Sequence, residues 1–338
     1  MRAWRGWSMF EALVVCIAFA TGMAPVLALD AQSRSRVRPD AQRDTRRDDR
    51  ADRTDTAFVV ARGAVLDVNV MSSKVSVRGW DRSDIGIHTE GDLSGVDIMR
   101  SSRGVRVESG TRGRGGDAGD IEIRAPRGTR VVISARQGDL EILDVRGSVN
   151  ATMISGDVVV RGGTERTVVN MTSGDVKISN TDGTVTVESI SGSIALDDVR
   201  GDVHVSGTSS DVTMSAVRAA RVEVNVMSGE VSFAGPLALD GRYQFSSHSG
   251  DVHVHLATDA KGILEMQSFN GELHAGVPVV VQSGSDGLAA SLRGGTSSRG
   301  RTVLSGRPQR MEFGGGGSAQ ITISTFSGDV YLDRGVRR

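Results

Sequence analysis

Ser155-Gly156-Asp157-Val158-Val159-Val160 returns as Ser173-Gly174-Asp175-Val176, then as Ser191-Gly192-Ser193-Ile194, and again as Ser210-Asp211-Val212, at an even step marked by positions 157, 175, 193 and 211. Weaker copies lie midway, at Arg146-Gly147-Ser148-Val149, Asp182-Gly183-Thr184-Val185 and Arg200-Gly201-Asp202-Val203. The underlying unit is therefore half of that step, enough for a strand of about five residues and a turn of about four. Two units close one coil. Residues after the turn glycine of the stronger copies fall at 139, 157, 175, 193, 211, 230, 251 and 272, so the step stretches from 18 to 19 and then 21. Turns absorb such growth, whereas one extra residue in a strand would flip its faces.

Each unit offers an inward pair. In the stronger copies these are Val158 and Val160, Val176 and Ile178, Ile194 and Leu196, Val212 and Met214, Val231 and Phe233, Val252 and Val254. In the weaker copies they are Val149 and Ala151, Val185 and Val187, Val203 and Val205, Val222 and Val224, Tyr243 and Phe245. Apolar residues at fixed places in every copy stack on their equivalents, which gives a continuous core to units that cannot fold alone. The pattern predicts an all-β chain folded as a parallel β-solenoid of two sheets, about 18 residues per coil, rising about 4.8 Å per coil. An antiparallel β-meander or sandwich fits the same spacing. The alternation of strong and weak copies favours the solenoid, because it gives each sheet one consistent motif.

Outward from the array, Val65 to Val70, Lys74 to Trp80, Ile85 to Ile87 and Val105 to Val107 alternate apolar and polar residues, the mark of half-buried strands. Residues 58–136 read as a strand-rich N-terminal cap, with a Gly/Arg loop from Thr111 to Gly119, and the regular array as 137–276. Residues 277–319 form a Gly/Ser/Arg-rich insertion, expected as an extended loop. The motif returns in 320–333 as Gln320-Ile321-Thr322-Ile323-Ser324 leading into Ser327-Gly328-Asp329-Val330-Tyr331-Leu332, expected to dock as the terminal rung. A basic tail, 334–338, follows with Arg334, Arg337 and Arg338, charges that discourage stacking at an open sheet end.

At the other end, residues 1–28 read as a signal peptide: Arg2 and Arg5, an apolar run from Leu13 to Leu27, and Val26-Leu27-Ala28 as a cleavage site. The run is broken by Thr21, Gly22 and Pro25, too short for a comfortable membrane span. Cys16, the single cysteine, lies inside it, so the exported chain carries no disulfide. Residues 29–57 are dense in Arg and Asp with almost no apolar residue, a disordered linker. The expected location is the periplasm or the cell surface. Of 338 residues, 40 are Lys or Arg and 41 Asp or Glu, a net charge of -1 that gives no electrostatic case for nucleic acid or an anionic membrane.

Ile121-Glu122-Ile123-Arg124-Ala125-Pro126-Arg127-Gly128-Thr129, followed by repeated Ser-Gly-Asp-Val-x-Val, resembles a bacterial envelope β-strand repeat family of unknown function that carries an adhesin label. The resemblance spans roughly residues 58 to 333. It implies export and a β-repeat fold, and brings no catalytic residues.

The repeat itself fixes the structural positions Gly138, Asp139, Gly156, Asp157, Gly174, Asp175, Gly192, Gly229, Gly250, Asp251, Gly328 and Asp329. Its glycines make turns. Its acidic column, Asp157, Asp175, Asp211, Glu230, Asp251 and Glu272 interrupted by Ser193, stacks like charges about 4.8 Å apart and needs a local offset of about 1 kcal/mol per pair in water. Backbone hydrogen bonds at the turn supply one. A calcium ladder is the competing reading, but calcium β-rolls use Gly-Gly-x-Gly-x-Asp, and here each Asp has one preceding glycine or none, so no cofactor is assigned. His253 and His255 share one strand face beside Asp251, and a register step of 21 would stack His274 over His253 as a third metal ligand. A polysaccharide-active β-helix enzyme would draw on Asp157, Asp175 and Lys177, yet the repeat supplies such residues at every turn, whereas a catalytic cleft breaks a repeat at one place. What remains is a non-enzymatic module whose partner is an envelope or surface glycan or protein. A binder uses its side and stays monomeric, while a scaffold self-associates end to end.

Overall fold

The computed structural model describes residues 53–90, 96–109, 119–281, 291–292, 301–303 and 308–335, and its regular structure is β throughout. The signal, the linker up to residue 52, most of the 111–119 loop, the remainder of the insertion and the last three residues of the basic tail lie outside the described residues.

Two parallel ladders run side by side. In the first, Val149–Ser155 pairs with Thr167–Ser173 and that with the start of Val185–Arg200, so that Val149, Thr167 and Val185 stack in one column. In the second, Val158–Arg161 pairs with Val176–Asp182 and that with the end of Val185–Arg200. Val185–Arg200 and Val203–Ser215 run through the corner and join the ladders. Stronger and weaker copies thus occupy separate ladders, and parallel pairing along both removes the meander and the sandwich. The inward columns close on one another as one core: Val149, Ala151, Val158, Val160, Val176, Ile178, Val185 and Val187 are all buried. Each such aliphatic side chain contributes about 1.5–3 kcal/mol when fully buried. Towards the C-terminal rungs the core widens to aromatics, with Phe233 at 5.5 Å from both Tyr243 and Phe245. The buried Tyr243 hydroxyl donates to Ala219 O and accepts from the Ala238 N–H.

Two corners turn the chain, each with its own backbone rule. At the first, Gly138, Gly156, Gly174, Gly192, Gly229, Gly250 and Gly328 all have φ between +114° and +156°. A Cβ on Gly174 would lie 1.9 Å from the Gly156 carbonyl oxygen, because the rungs approach backbone to backbone there. At the second corner a left-handed residue recurs once per coil: Asp144, Gly162, Asn180, Asp198 and Ala216. Asp and Asn tolerate this conformation best among non-glycine residues. Between the corners a third inward column, Val145, Gly163, Thr181, Val199 and Val217, is buried as well.

The order of rungs in space departs from their order in sequence at both ends. Val65–Ser72 lies between Gly104–Ser109 and Arg130–Gln137, and Val75–Trp80 lies between Ile121–Pro126 and Leu140–Leu143. Much of the expected N-terminal cap is therefore regular solenoid. At the far end Ala319–Ser327 lies between Arg242–Ser249 and Gly262–Asn270, and Val330–Arg334 between Val252–Leu256 and Glu272–Ala275. The last motif copy is thus not the terminal rung. It intercalates one rung in, and Arg334 pairs beside Leu256 instead of guarding an open end. The reason is covalent slack: the residues between Ala275 and Ala319 let the chain return past the 262–275 rung.

Antiparallel strands cover both outermost rungs. Val96–Ser101 pairs with Gly104–Ser109, Asp84–Glu90 with Ile121–Pro126, and Arg53–Val59 with Asp84–Glu90, so a strand begins inside the stretch read as linker. At the other end Gln309–Phe313 covers Gly262–Asn270, Arg301–Val303 covers Glu272–Ala275, and Val279–Val281 adds outside Gln309–Phe313. The described residues of the Gly/Ser/Arg-rich insertion thus include the strands Val279–Val281, Ser291–Leu292, Arg301–Val303 and Gln309–Phe313 in place of a single extended loop.

The two corners make opposite predictions. Gly174→Ala forces a Cβ into the Gly156 carbonyl and lowers unfolding free energy by at least about 3 kcal/mol. Ala216→Gly relieves a left-handed alanine at φ +53° and raises it by about 1 kcal/mol. Urea unfolding of both variants beside the wild type checks the pair.

Candidate interaction surface

The aspartate after each corner glycine is held by the next rung. Asp139 Oδ1 accepts the Asp157 N–H at 3.3 Å, Asp157 Oδ1 the Asp175 N–H at 3.1 Å, and Asp175 Oδ1 the Ser193 N–H at 2.9 Å and the Ser193 hydroxyl at 2.7 Å. The pattern resumes from Asp211 to the Glu230 N–H, from Asp251 to the Asp329 N–H, and from Asp329 to the Glu272 N–H. Each charge-assisted bond opposes the repulsion along the column. The Ser193 N–H, and after it the Ser193 hydroxyl, hold the Asp175 carboxyl below its ordinary value against a smaller opposing effect of burial. Lys177 points outward and exposed on the second ladder.

His274 does not stack over His253. The intercalated rung puts Tyr331 between them, with ring centroids 4.4 Å from His253 and 4.7 Å from His274 and near-parallel planes. His253 instead lies 3.4 Å from a Glu230 oxygen, and His274 lies 3.4 Å from Asp329 and 3.8 Å from Glu272. His255 is opposite Asp333. Among the described residues no group of three or more His, Cys, Asp or Glu has the geometry to hold a metal ion. Burial, and then the carboxylates of Asp251, Asp329 and Glu272, push the Tyr331 phenol above its ordinary value. A second ring stack flanks the same corner: His248, Phe326 and Phe269 at 4.8 Å and 5.1 Å. Phe326 and Phe269 end a column of exposed apolar side chains that also holds Met71, Ile154 and Met227.

The second corner holds what the sequence reading missed. Between neighbouring coils with long side chains, the rung at Gly162-Gly163-Thr164 carries almost none, and a groove of about 450 Å³ opens over it. Arg127 and Arg146 wall one side, Asn180 and Asp182 the other, with Asp144 at the rim. Thr164 Oγ1 donates to Arg146 O at 2.8 Å, which seats the floor. Arg127 is engaged by Asp81 at 3.2 Å. Asp144, Arg146 and Asn180 make no side-chain hydrogen bond or ion pair among the described residues. A smaller groove of about 240 Å³ continues along Asn180, Asp182, Asp198 and Arg200. There Arg200 pairs with Asp182 and Asp198, and Arg218 with Asp198 at 3.0 Å, so the column closes into an ion-pair ladder. The signal was present in the sequence as Asp144, Gly162, Asn180 and Asp198 at one even step, together with the doubled glycine, the one break in that column's side chains.

The family model described as Toastrack DUF4097 matches residues 65–288 of the 338. No curated protein matches the chain. Solved structures to which it is similar include the "putative lipid binding protein" of Parabacteroides distasonis ATCC 8503, at 14% identity and TM-score 0.39, over 60% of this chain and 89% of that one. Another is the "putative cell adhesion protein" of Clostridium sporogenes ATCC 15579, at 10% identity and TM-score 0.21, over 84% and 100%. A third is the "putative adhesin" of Bacteroides fragilis NCTC 9343, at 8% identity and TM-score 0.34, over 83% and 96%.

The ladder predicts a pH dependence. A carboxyl whose folded pKa lies below the unfolded value stabilises the fold above that value, and the contribution is lost as pH falls through the lower folded pKa. Asp175→Asn is therefore less stable than the wild type at neutral pH, and the gap closes as the solution is acidified below 3.8. Urea midpoints of both chains from neutral pH down to about pH 2 measure it.

Proposed function

The chain belongs to the Toastrack DUF4097 family, and from that premise we propose that it is an exported, non-enzymatic, adhesin-like envelope module that binds an extended glycan along its side. The observation that carries the reading is the covering of both outermost rungs by antiparallel strands. End-to-end growth of a solenoid needs a parallel, in-register edge at each end, and among the described residues neither end offers one. The sides remain, and the polar corner groove is the place on them where the repeat breaks.

The chemistry of the groove suits a polyhydroxylated chain. Arg146 and Asn180 bring donors, Asp144, Asn180 and Asp182 bring acceptors, and a sugar hydroxyl both donates and accepts. Arginines and aspartates lie side by side, so the groove has little net charge and favours a neutral glycan over a strongly anionic polymer. It continues along the rungs into the second groove, which suits a ligand made of repeating units and gains affinity by engaging several shallow contacts at once. Export rests on residues 1–28, and no helix among the described residues is long and apolar enough to cross a membrane.

The test is affinity electrophoresis and pull-down on insoluble envelope glycans. Arg146→Ala combined with Asn180→Ala weakens binding by about tenfold or more, since each lost polar contact is worth on the order of 1 kcal/mol. Gln244→Ala, on a distant rung, leaves it unchanged. A wild-type chain that binds no glycan, or a groove variant that binds as well as Gln244→Ala, overturns the reading.

A further inference from the structure

We infer that residues 319–334 are an exchangeable donor rung, and that the slot they fill between rungs 242–256 and 262–275 accepts the same segment from a second copy of the chain. The inference is independent of the glycan reading.

The slot is bounded by two rungs that are consecutive in sequence. In the first ladder Tyr243 pairs with Ile321 and Ile321 with Leu264, so the flanking positions 243 and 264 stand at a difference of 21. In the second ladder Val252 pairs with Val330 and Val330 with Leu273, and positions 252 and 273 again differ by 21. The preceding step, from Val222 to Tyr243, is 21 as well. With the donor rung out, the flanking rungs are therefore in register to close on each other in both ladders at once. Ser249-Gly250-Asp251 would then meet Asn270-Gly271-Glu272 as successive turns of the ordinary repeat.

The N-terminal intercalated rung lies between coils of unequal length. Across it Val105 and Val131 flank Leu66, a difference of 26, while Ile121 and Leu140 flank Val75, a difference of 19. The flanking coils there differ by a corner seven residues longer, 26 less 19, whereas the C-terminal slot is bounded in both ladders by the same 21-residue coil.

A hinge stands where exchange needs one. Gly314-Gly315-Gly316-Gly317 leads directly into Ala319–Ser327, with φ of +68°, +85° and +87° at the first three. A Cβ at Gly315 would meet nothing within 4 Å, while Gly314 and Gly317 pack against the backbone of Ala260 and Lys261, so the bend itself stands clear and its two ends are seated. The donor side is complete in itself. Ile321, Ile323, Val330 and Leu332 fill the core, Phe326 inserts between His248 and Phe269, and Tyr331 inserts between His253 and His274. A second copy's segment makes all of these contacts unchanged, and this equality is what makes swapping of an element cheap. Leaving the slot breaks two ladders at once, so exchange belongs to folding and assembly, not to rapid equilibrium.

The experiment uses full-length chains with Cys16→Ser throughout. Gln244 and Thr322 are register partners on outward positions, at the roughly 4.8 Å strand spacing that a disulfide spans. Chains carrying Gln244→Cys and chains carrying Thr322→Cys are unfolded, mixed, refolded and oxidised, beside a control mixture of Lys177→Cys with Thr322→Cys. A covalent heterodimer in the register pair and none in the control supports the inference. An intrachain disulfide in the Gln244→Cys/Thr322→Cys double variant without any heterodimer from the mixture overturns it, as does equal heterodimer in both mixtures. Independently of cysteines, the wild-type chain refolded at about 100 μM gives a dimer that persists on dilution. Monomer at every refolding concentration overturns the inference.

Discussion

A carbonyl oxygen stands where a side chain would otherwise begin. At the first corner the Gly138 oxygen lies 1.8 Å from the place of a Cβ on Gly156, and the Gly156 and Gly174 oxygens stand likewise over the next two glycines. This close approach lets successive turns keep the strand spacing of the ladders through the bend. The Ser-Gly-Asp motif follows from it. The glycine is required by the contact, the aspartate receives the N–H that the next turn presents, and the valines beyond begin the next buried column. Ser210, at the glycine place of its rung, shows the alternative: Val203–Ser215 stays extended through the corner, and Gly207 takes up the space that the Ser210 side chain needs.

Repetition also decides where function can sit. A residue supplied at every turn is answered at every turn, and the acidic column is consumed by the backbone of the following rung. Arg200, Arg218, Asp182 and Asp198 answer one another in the same way at the second corner. Where a rung drops its side chains, at Gly162-Gly163-Thr164, neighbours such as Asp144, Arg146 and Asn180 stand without a side-chain partner among the described residues. Free valence on a solenoid is thus a property of its irregular rungs.

The sequence made the coil length, the two ladders and the inward columns legible because period and burial are local facts. Val158 and Val160 need only their own strand to declare a face. Spatial order is not local. Gly250 and Gly271 stand as far apart in sequence as Gly229 and Gly250, so nothing in spacing reveals that another rung lies between the later pair. The stacking of His274 over His253 was lost for that reason, and Tyr331 took its place. The groove was half legible: the Asp144, Gly162, Asn180, Asp198 column can be read by counting coils, while its depth depends on the side chains of Arg127 and Arg146, whose placement over the glycine rung the period does not state. Ala216 carries no conformational signal at all, and its left-handed backbone is imposed by the corner.

Intercalation gives the two ends a common solution to the edge problem. The outermost rungs, 104–126 and 262–275, are each continued in sequence by strands that fold back antiparallel across them, and each is locked from inside by a rung from elsewhere in the chain. An outermost rung so placed must break pairing on both sides before it frays, whereas the last turn of a sequentially wound coil would peel from one side. The antiparallel strands also end the parallel register, which is the property another solenoid end would need in order to add. At the N-terminal end the coils on either side of the inner rung differ in corner length, 26 residues apart in one ladder and 19 in the other. At the C-terminal end they stand 21 residues apart in both ladders, the length of the preceding coil. The same device thus locks a rung between coils of unequal length at one end and of equal length at the other, where a glycine tract leads the chain in.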